Sequence, residues 1–219
     1  MGSLKISVCV TIFNEKEATV KKLLDALNNQ TLKPIEVIIT DASNHKLQIT
    51  NKQSMPLRGN KQYTNLKLQI INRPGVSRAR GRNIAIGKAR NEIIAITDAG
   101  CIPRKNWLAR LTEPLDPSSH GYDEASVVAG GYVMVAKNNF EKAESIFLGT
   151  QQKDIDSNFM PSARSMAFTK SIWKKAGGFP ENMGNTAEDT LFNIKLLKVG
   201  AKFVVAKNAI VECQMPESL

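Results

Sequence analysis

The 219-residue sequence predicts an α/β fold, with a mostly parallel central sheet flanked by helices. Three observations predict it. Short, nearly continuous apolar runs rich in β-branched residues recur, as expected of strands covered on both faces. Segments with apolar residues at helical spacing separate them. Several of the runs end on an acid or an amide, at the place where open α/β sheets bind ligands.

The elements follow in order. Residues 5–13 (KISVCVTIF) form the first strand. Asn14 and Glu17 then have capping-box spacing, and Val20, Leu23, Leu24 and Leu27 recur at helical intervals, predicting a helix of about four turns. Residues 35–43 (IEVIITDAS) are a second buried strand, and 66–73 (LKLQIINR) a third. The polar stretch 44–65 between them reads as surface loop. Residues 77–90 read as a helix whose Ala79, Ile84 and Ile86 can face the sheet, and 92–99 (EIIAITDA) as the fourth strand. This alternation predicts parallel strands with right-handed crossovers.

After Pro103 the pattern changes. Residues 105–115 read as a short helix and 126–136 (SVVAGGYVMVA) as a strand whose Gly-Gly pair allows it close approach. Residues 163–179 read as strand, helix and glycine stop. Residues 186–200 are an amphipathic helix ended by Gly200, and 201–212 a closing strand or hairpin. No internal repeat or low-complexity segment interrupts the series. The expected organisation is one domain, 1–219, with two lobes divided near residue 100.

Composition narrows the partners. The net charge is +10, with 30 Lys and Arg against 20 Asp and Glu, which favours an anionic partner: nucleic acid, a phosphorylated small molecule or an acidic membrane face. With only three Tyr and two Trp the chain lacks the interleaved aromatics of a nucleic-acid binder. No apolar run approaches the roughly 18 residues of a membrane span, and the N-terminus does not read as a secretory signal. Cys9, Cys101 and Cys213 are odd in number and far apart, so the expectation is reduced thiols in a cytoplasmic protein, without disulfide or zinc site. His45 and His120 sit in polar stretches and receive no chemistry. Trp107 and Trp173 read as core residues before ligand-stacking ones.

The strand ends carry the chemistry. Asp41 and Asp98 each follow a buried apolar run, where an unpaired carboxylate is costly. Asp41 suits a base or ribose, and Asp98 a divalent cation. The helix opening near Ser77 offers amides to an anion, and Arg73, Arg78, Arg80 and Arg82 crowd the same region. Together these parts describe a nucleoside diphosphate bridged to a metal.

These residues carry a resemblance. The stretch VCVTIFNEKEATVKKLLDALNNQTLKPIEVIITDAS resembles the opening of family 2 glycosyltransferases of the GT-A fold: strand, T-x-[YF]-N-E, helix, a Q-T-x-x-P run, strand, Asp. GVSRARGRNIAIGKARNEIIAITDAGCIPRKNWL resembles the next block, an Arg-Asn helix followed by the strand that ends in the DxD element. SMAFTKSIWKKAGGFPENMGNTAEDTLFNIKLLKVGAKF resembles the third, with Glu-Asp opening a helix. The three blocks span nearly the whole chain in the family's order.

The resemblance implies a GT-A fold, with a nucleotide-binding lobe (1–100) and an acceptor-binding lobe (101–219), and an inverting transfer of a sugar from a nucleotide donor, UDP by preference, to a hydroxyl of a glycan or lipid-linked acceptor. Thr11, Phe13, Asn14 and Glu15 fall in the donor motif, Thr11 and Phe13 lining the base, and Asp41 is implied to contact uracil. Arg78, Arg82 and Arg164 are assigned to the donor. Asp98 is implied to contact the ribose and to hold Mg²⁺ or Mn²⁺. Glu188 and Asp189 match the catalytic acidic pair, with Asp189 as the base. Two positions depart from the pattern: Ala42 follows Asp41 where relatives often have a second acid, and Gly100 stands where DxD has its second acid. A metal-independent enzyme using arginines and a degenerate domain are the rival readings of that departure. Among other classes, a sugar-nucleotide-forming nucleotidyltransferase would need a glycine-rich loop after the first strand, which TIFNEKE lacks, and the charge alone would allow a nucleic-acid binder. The expected location is the cytoplasm, at the inner face of an anionic membrane.

Overall fold

A computed structural model describes residues 4–44, 66–119, 125–136, 138–148, 155, 159–182 and 187–214. The strands are β1 (Ile6–Ile12), β2 (Glu36–Asp41), β3 (Lys67–Asn72), β4 (Ile93–Asp98), β5 (Cys101–Pro103), β6 (Val127–Val135), β7 (Met166–Thr169) and β8 (Phe203–Gln214). The helices are α1 (Glu17–Asn28), α2 (Arg78–Lys88), α3 (Trp107–Thr112), α4 (Asn139–Leu148), α5 (Lys170–Lys175) and α6 (Glu188–Lys198). Among the described residues one eight-stranded sheet has the order β3-β2-β1-β4-β7-β6-β8-β5. The first four strands are parallel, β7 runs against both β4 and β6, β8 runs with β6, and β5 runs against β8. No helix among the described residues is long and apolar enough to cross a membrane.

Strand alternation sorts the core into two layers. Ile6, Val8, Val10 and Ile12 of β1 pack with Val20, Leu23, Leu24 and Leu27 of α1 and with Trp107, Leu108 and Leu111 of α3. Cys9 packs on the other side with Ala79, Ala85 and Ile86 of α2 and Phe192 and Leu196 of α6. The helical face expected of α1 is therefore the buried one, and Trp107 is a core residue. In α2, Ile84 is only partly buried, and Gly81 and Arg82 take inward positions. Gly200, at φ 78°, ends α6 as the sequence predicts. The polar stretch 45–65, with His45, and His120 lie outside the described residues.

The structure corrects two of the sequence expectations, the capping box and the thiols, and makes two others specific. The Asn14–Glu17 capping box does not form: α1 starts after Lys16 without a side-chain cap. Asn14 instead takes φ 62° and Glu17 pairs with Lys21 at 2.6 Å. The closing element is one long strand, β8, whose register with β6 shifts between Gly130 and Gly131. Gly130 gives β6 close approach to the rest of the protein. A Cβ there would lie 2.1 Å from Ser165 Oγ and 2.9 Å from the Ala209 carbonyl oxygen. That same Ser165 hydroxyl accepts from Trp107 Nε1 at 2.9 Å and donates to Ala209 O at 3.2 Å. Finally, the reduced-thiol expectation is corrected for two of the three cysteines. β5 and β8 place Cys101 opposite Cys213, and the pair is a disulfide closing 112 residues of sequence. Strand pairing brings together what linear spacing kept apart. Cys9 remains a free, buried thiol whose ionisation burial strongly opposes, with Glu36 adding to the effect.

Two outcomes test this packing. Gly130→Ala should destabilise the fold by about 1–3 kcal/mol, the usual cost of overpacking, read as a lower urea midpoint. Breaking the Cys101–Cys213 bond with a dithiol reductant, or by Cys213→Ser, should cost roughly 2–5 kcal/mol in the same measurement. An unchanged midpoint in either case would contradict the packing described.

Candidate active site

A cavity of about 370 Å³ opens beyond the carboxyl ends of β1 and β4, where open α/β sheets bind ligands. Thr11, Phe13 and Glu15 line it from the end of β1 and its loop, Arg78 and Arg82 from α2, Asp98 and Gly100 from the end of β4, and Arg164 from the loop before β7. Cys101, Met134, Cys213 and Gln214 form the opposite wall. The Gln214 amide donates to the Gly100 carbonyl at 3.1 Å, so β8 fixes the turn that follows Asp98.

Register explains which groups meet there. Thr11 pairs with Asp98, whereas Ile12 pairs with Asp41. Side chains alternate along β1, so the two strand-end acids belong to opposite faces of the sheet. Asp98 shares Thr11's face, beneath α2. Gly81 lets that helix come close: a Cβ there would lie 2.5 Å from Thr11 Cγ2. Thr11 is buried at the cavity wall, and its hydroxyl finds no hydrogen-bond partner among the described residues. Phe13 is 39% exposed, an apolar surface at the cavity. A lone hydroxyl beside an open ring suits a planar polar ligand.

The electrostatic centre is Arg82. It is almost wholly buried, and its two terminal nitrogens donate to different carboxylates, Asp98 Oδ1 at 2.8 Å and Glu188 Oε1 at 2.6 Å. Its guanidinium also lies 5.6 Å from the Phe179 ring centroid. Burial works against the charge of Arg82, but the two acids more than compensate and raise its pKa. Burial likewise pushes Asp98 up. Arg82, then Arg164 and Arg78, outweigh it, holding the carboxyl below its ordinary value. Glu15 is raised chiefly by burial, although its carboxylate accepts from the Phe13 amide.

Glu188 and Asp189 open α6 and face different partners. Glu188 is buried against Arg82. Asp189 Oδ2 accepts from Ser162 Oγ at 3.2 Å and from the Ala163 amide at 3.3 Å, and its Oδ1 accepts from the Thr190 amide at 2.9 Å. Ala187, which precedes the pair, has φ 62°, a conformation that non-glycine residues rarely hold without surrounding constraint. Residues 183–186, which precede it, lie outside the described residues.

Not every expected residue reaches the cavity. Thr11, Phe13, Glu15, Arg78, Arg82, Asp98 and Arg164 line it; Asn14, Asp41, Glu188 and Asp189 do not. Asp41 Oδ1 accepts from the Ser43 amide at 3.0 Å, Ser43 Oγ accepts from the Asn14 amide at 2.8 Å, and Asn14 Oδ1 accepts from the Asn44 amide at 3.3 Å. Asp41 and Asn14 thus bind the β1 and β2 loops to each other. Sequence reasoning missed Tyr132, Met134 and Gln214, because no local pattern marks the strands β6 and β8 as cavity walls. Tyr132 supports Arg164, whose guanidinium lies 4.7 Å from its ring centroid.

A resident divalent cation fits this donor set poorly. Of the DxD positions only Asp98 carries a carboxylate, and one of its oxygens already holds Arg82. No group of three or more His, Cys, Asp or Glu that could hold a metal forms among the described residues.

Comparisons with known proteins agree with the architecture. The chain is 25% identical over 183 residues to glycosyltransferase AglE of Haloferax volcanii, covering 81% of this chain and 57% of that protein. It superposes on residues 1–349 of TarS from S. aureus with a TM-score of 0.69 at 21% identity, covering 98% of this chain and 61% of that one. The complex of that TarS fragment with UDP-GlcNAc gives a TM-score of 0.71 at 19% identity, covering 99% and 60%. The mannosyltransferase PcManGT of Pyrobaculum calidifontis, in complex with GDP-Man and Mn²⁺, gives 0.65 at 19%, covering 97% and 57%. This chain therefore spans about three-fifths of the length of these relatives. The fold is the GT-A arrangement. A sequence model of glycosyl transferase family 2 matches residues 7–177, most of the chain, and the chain belongs to that family.

Proposed function

We propose that the domain transfers a sugar from a nucleoside-diphosphate donor to a hydroxyl of a glycan or lipid-linked acceptor, with inversion at the anomeric carbon. The bridge Asp98–Arg82–Glu188 carries this reading, because it ties the cavity at the end of β4 to the helix start that bears Asp189. The base would lie against Thr11 and Phe13, and the diphosphate beside Arg78 and Arg164. The structural relatives solved with UDP, UDP-GlcNAc and GDP-Man support a sugar nucleotide as donor. Uridine is our reading of the base; it rests on Asp41 at the end of β2, which matches the family's uracil contact in the sequence and would act from behind the loop it organises. The +10 charge supports contact with an anionic membrane face that presents the acceptor.

In this reading Asp189 is the general base. The acceptor oxygen bonds to the anomeric carbon while the bond from that carbon to the diphosphate oxygen breaks. The acceptor proton passes to Asp189, and the nucleoside diphosphate leaves with the electron pair. A single in-line displacement inverts the centre. Ser162 and the Ala163 and Thr190 amides hold the Asp189 carboxylate in place. Glu188 and Arg82 are positioning residues: they join the base-bearing helix to Asp98.

Asp189→Asn should lose about 10²–10⁴-fold in transfer rate, the usual contribution of a general base, while nucleoside-diphosphate binding measured by calorimetry persists. Transfer near the wild-type rate would reject the assignment. Arg82→Met leaves two carboxylates without their cation and should destabilise the fold by about 3–5 kcal/mol in urea. Arg82→Lys should not restore the loss fully, since a single ammonium lacks the rigid fork that reaches both acids. Because the folded Asp98 carboxyl sits below its unfolded value of about 3.9, its contribution is present above that pH and is lost as pH falls through the folded value. The stability gap between wild type and Arg82→Met should therefore narrow in acid. A gap independent of pH would show that the bridge is not what Arg82 contributes.

A further inference from the structure

We propose that this domain neutralises the leaving diphosphate with arginines in place of a divalent cation, and that Arg164 is the residue whose charge does so. The inference rests on the glycosyl-transfer reading above.

The departing nucleoside diphosphate must be met by positive charge, and a metal is only one way to supply it. A hard cation needs several oxygen ligands, held firmly. At the end of β4 this chain provides one carboxylate, Asp98, and Arg82 stands 2.8 Å from it. Arg82 is locked there by Glu188 at 2.6 Å and by its burial, so a cation already occupies the acid's near side. The other acid of the wall, Glu15, is folded back onto the Phe13 amide. The charged residues lining the cavity are Arg78, Arg82 and Arg164 against Glu15 and Asp98, three positive and two negative, formally +1. A wall of that sign suits an anion and opposes a bare dication.

Arg164 is placed for the task. It enters the cavity from the loop before β7, and its guanidinium rests on the Tyr132 ring. No carboxylate among the described residues lies within ion-pair distance of it. A guanidinium supported on an aromatic face keeps its planar fork of donors available, and that fork matches phosphate oxygens in pairs. Gly100 points the same way. A Cβ at Gly100 would meet nothing within 4 Å, and its φ is not in the left-handed region, so neither packing nor backbone requires glycine there. The fold leaves room for the second acid that the sequence lacks.

The test is isothermal titration of UDP, and separately of GDP, into wild type, Arg164→Met and Gly100→Asp, each with Mn²⁺ or with a chelator, alongside melting curves of the unliganded proteins. The tighter nucleotide should bind wild type equally in both conditions. Arg164→Met should lose about 10- to 100-fold in both, the usual range for a charge-assisted phosphate contact, with its unliganded melting temperature unchanged. Gly100→Asp should bind more tightly with Mn²⁺ than with chelator. Binding by wild type that appears only with Mn²⁺ would overturn the inference while leaving sugar transfer standing, as would Arg164→Met binding at wild-type strength. An unresponsive Gly100→Asp would remove Gly100 as the missing ligand position and overturn the inference too. If neither nucleotide binds wild type in either condition, the glycosyl-transfer reading itself fails and takes the inference with it.

Discussion

One buried guanidinium, shared between two acids, holds the candidate site together. Arg82 is 16 residues from Asp98 and 106 from Glu188 in sequence, yet it donates to both. Taking such a charge out of water costs several kcal/mol unless its partners are well placed. Here each acid satisfies a different arm of the fork, so helix α2, the end of β4 and the start of α6 stand or fall as one unit. The position of Asp189 follows from this, because it is the residue after Glu188 and shares its helical turn. In the proposed mechanism, the base is thus set in place by the neighbour that Arg82 holds.

Around that bridge the pleat of the sheet divides the labour of the strand-end acids. Asp98 shares a face with Thr11 and meets the arginines. Asp41, one register step out, serves the loops through Ser43 and Asn14. Two acids that look equivalent in sequence, each closing an apolar run, therefore do different work. The parity of a strand decides it, and parity can only be assigned once the pairing register is known.

Most of the architecture was legible in the sequence because the signals are local. The buried runs of β1, β2 and β4, the stripe of Val20, Leu23, Leu24 and Leu27 on α1, and the glycine stop of α6 each reside within a dozen residues or so. The site was legible in part: Thr11, Phe13 and Asp98 among the strand-end positions, with Arg78 and Arg164, stand at the cavity, and Asn14 and Asp41 do not. What escaped depends on distant partners. A three-residue strand such as β5 has no periodicity to detect. Asn14 carries the residue type of a helix cap, but a hydrogen bond with Asn44 from the next loop draws its side chain away. The resemblance assigns Arg82 to the donor, but nothing in the RARGR run shows that Arg82 is buried between Asp98 and Glu188 while Arg80 faces water beside Glu181. The disulfide was hidden for the same reason, since its two cysteines meet only after β8 has found β5.

The seat of β8 between β6 and β5 sets an order on how the molecule is made. During translation the four parallel strands emerge early and can pair with one another while the rest is still on the ribosome. The turn at Gly100 and the short strand after it have no strand partner until residues 211–214 arrive. The nascent chain can therefore own a nearly finished sheet and still have no pocket. The cavity wall is completed only by the last strand to leave the exit tunnel among those the structure describes.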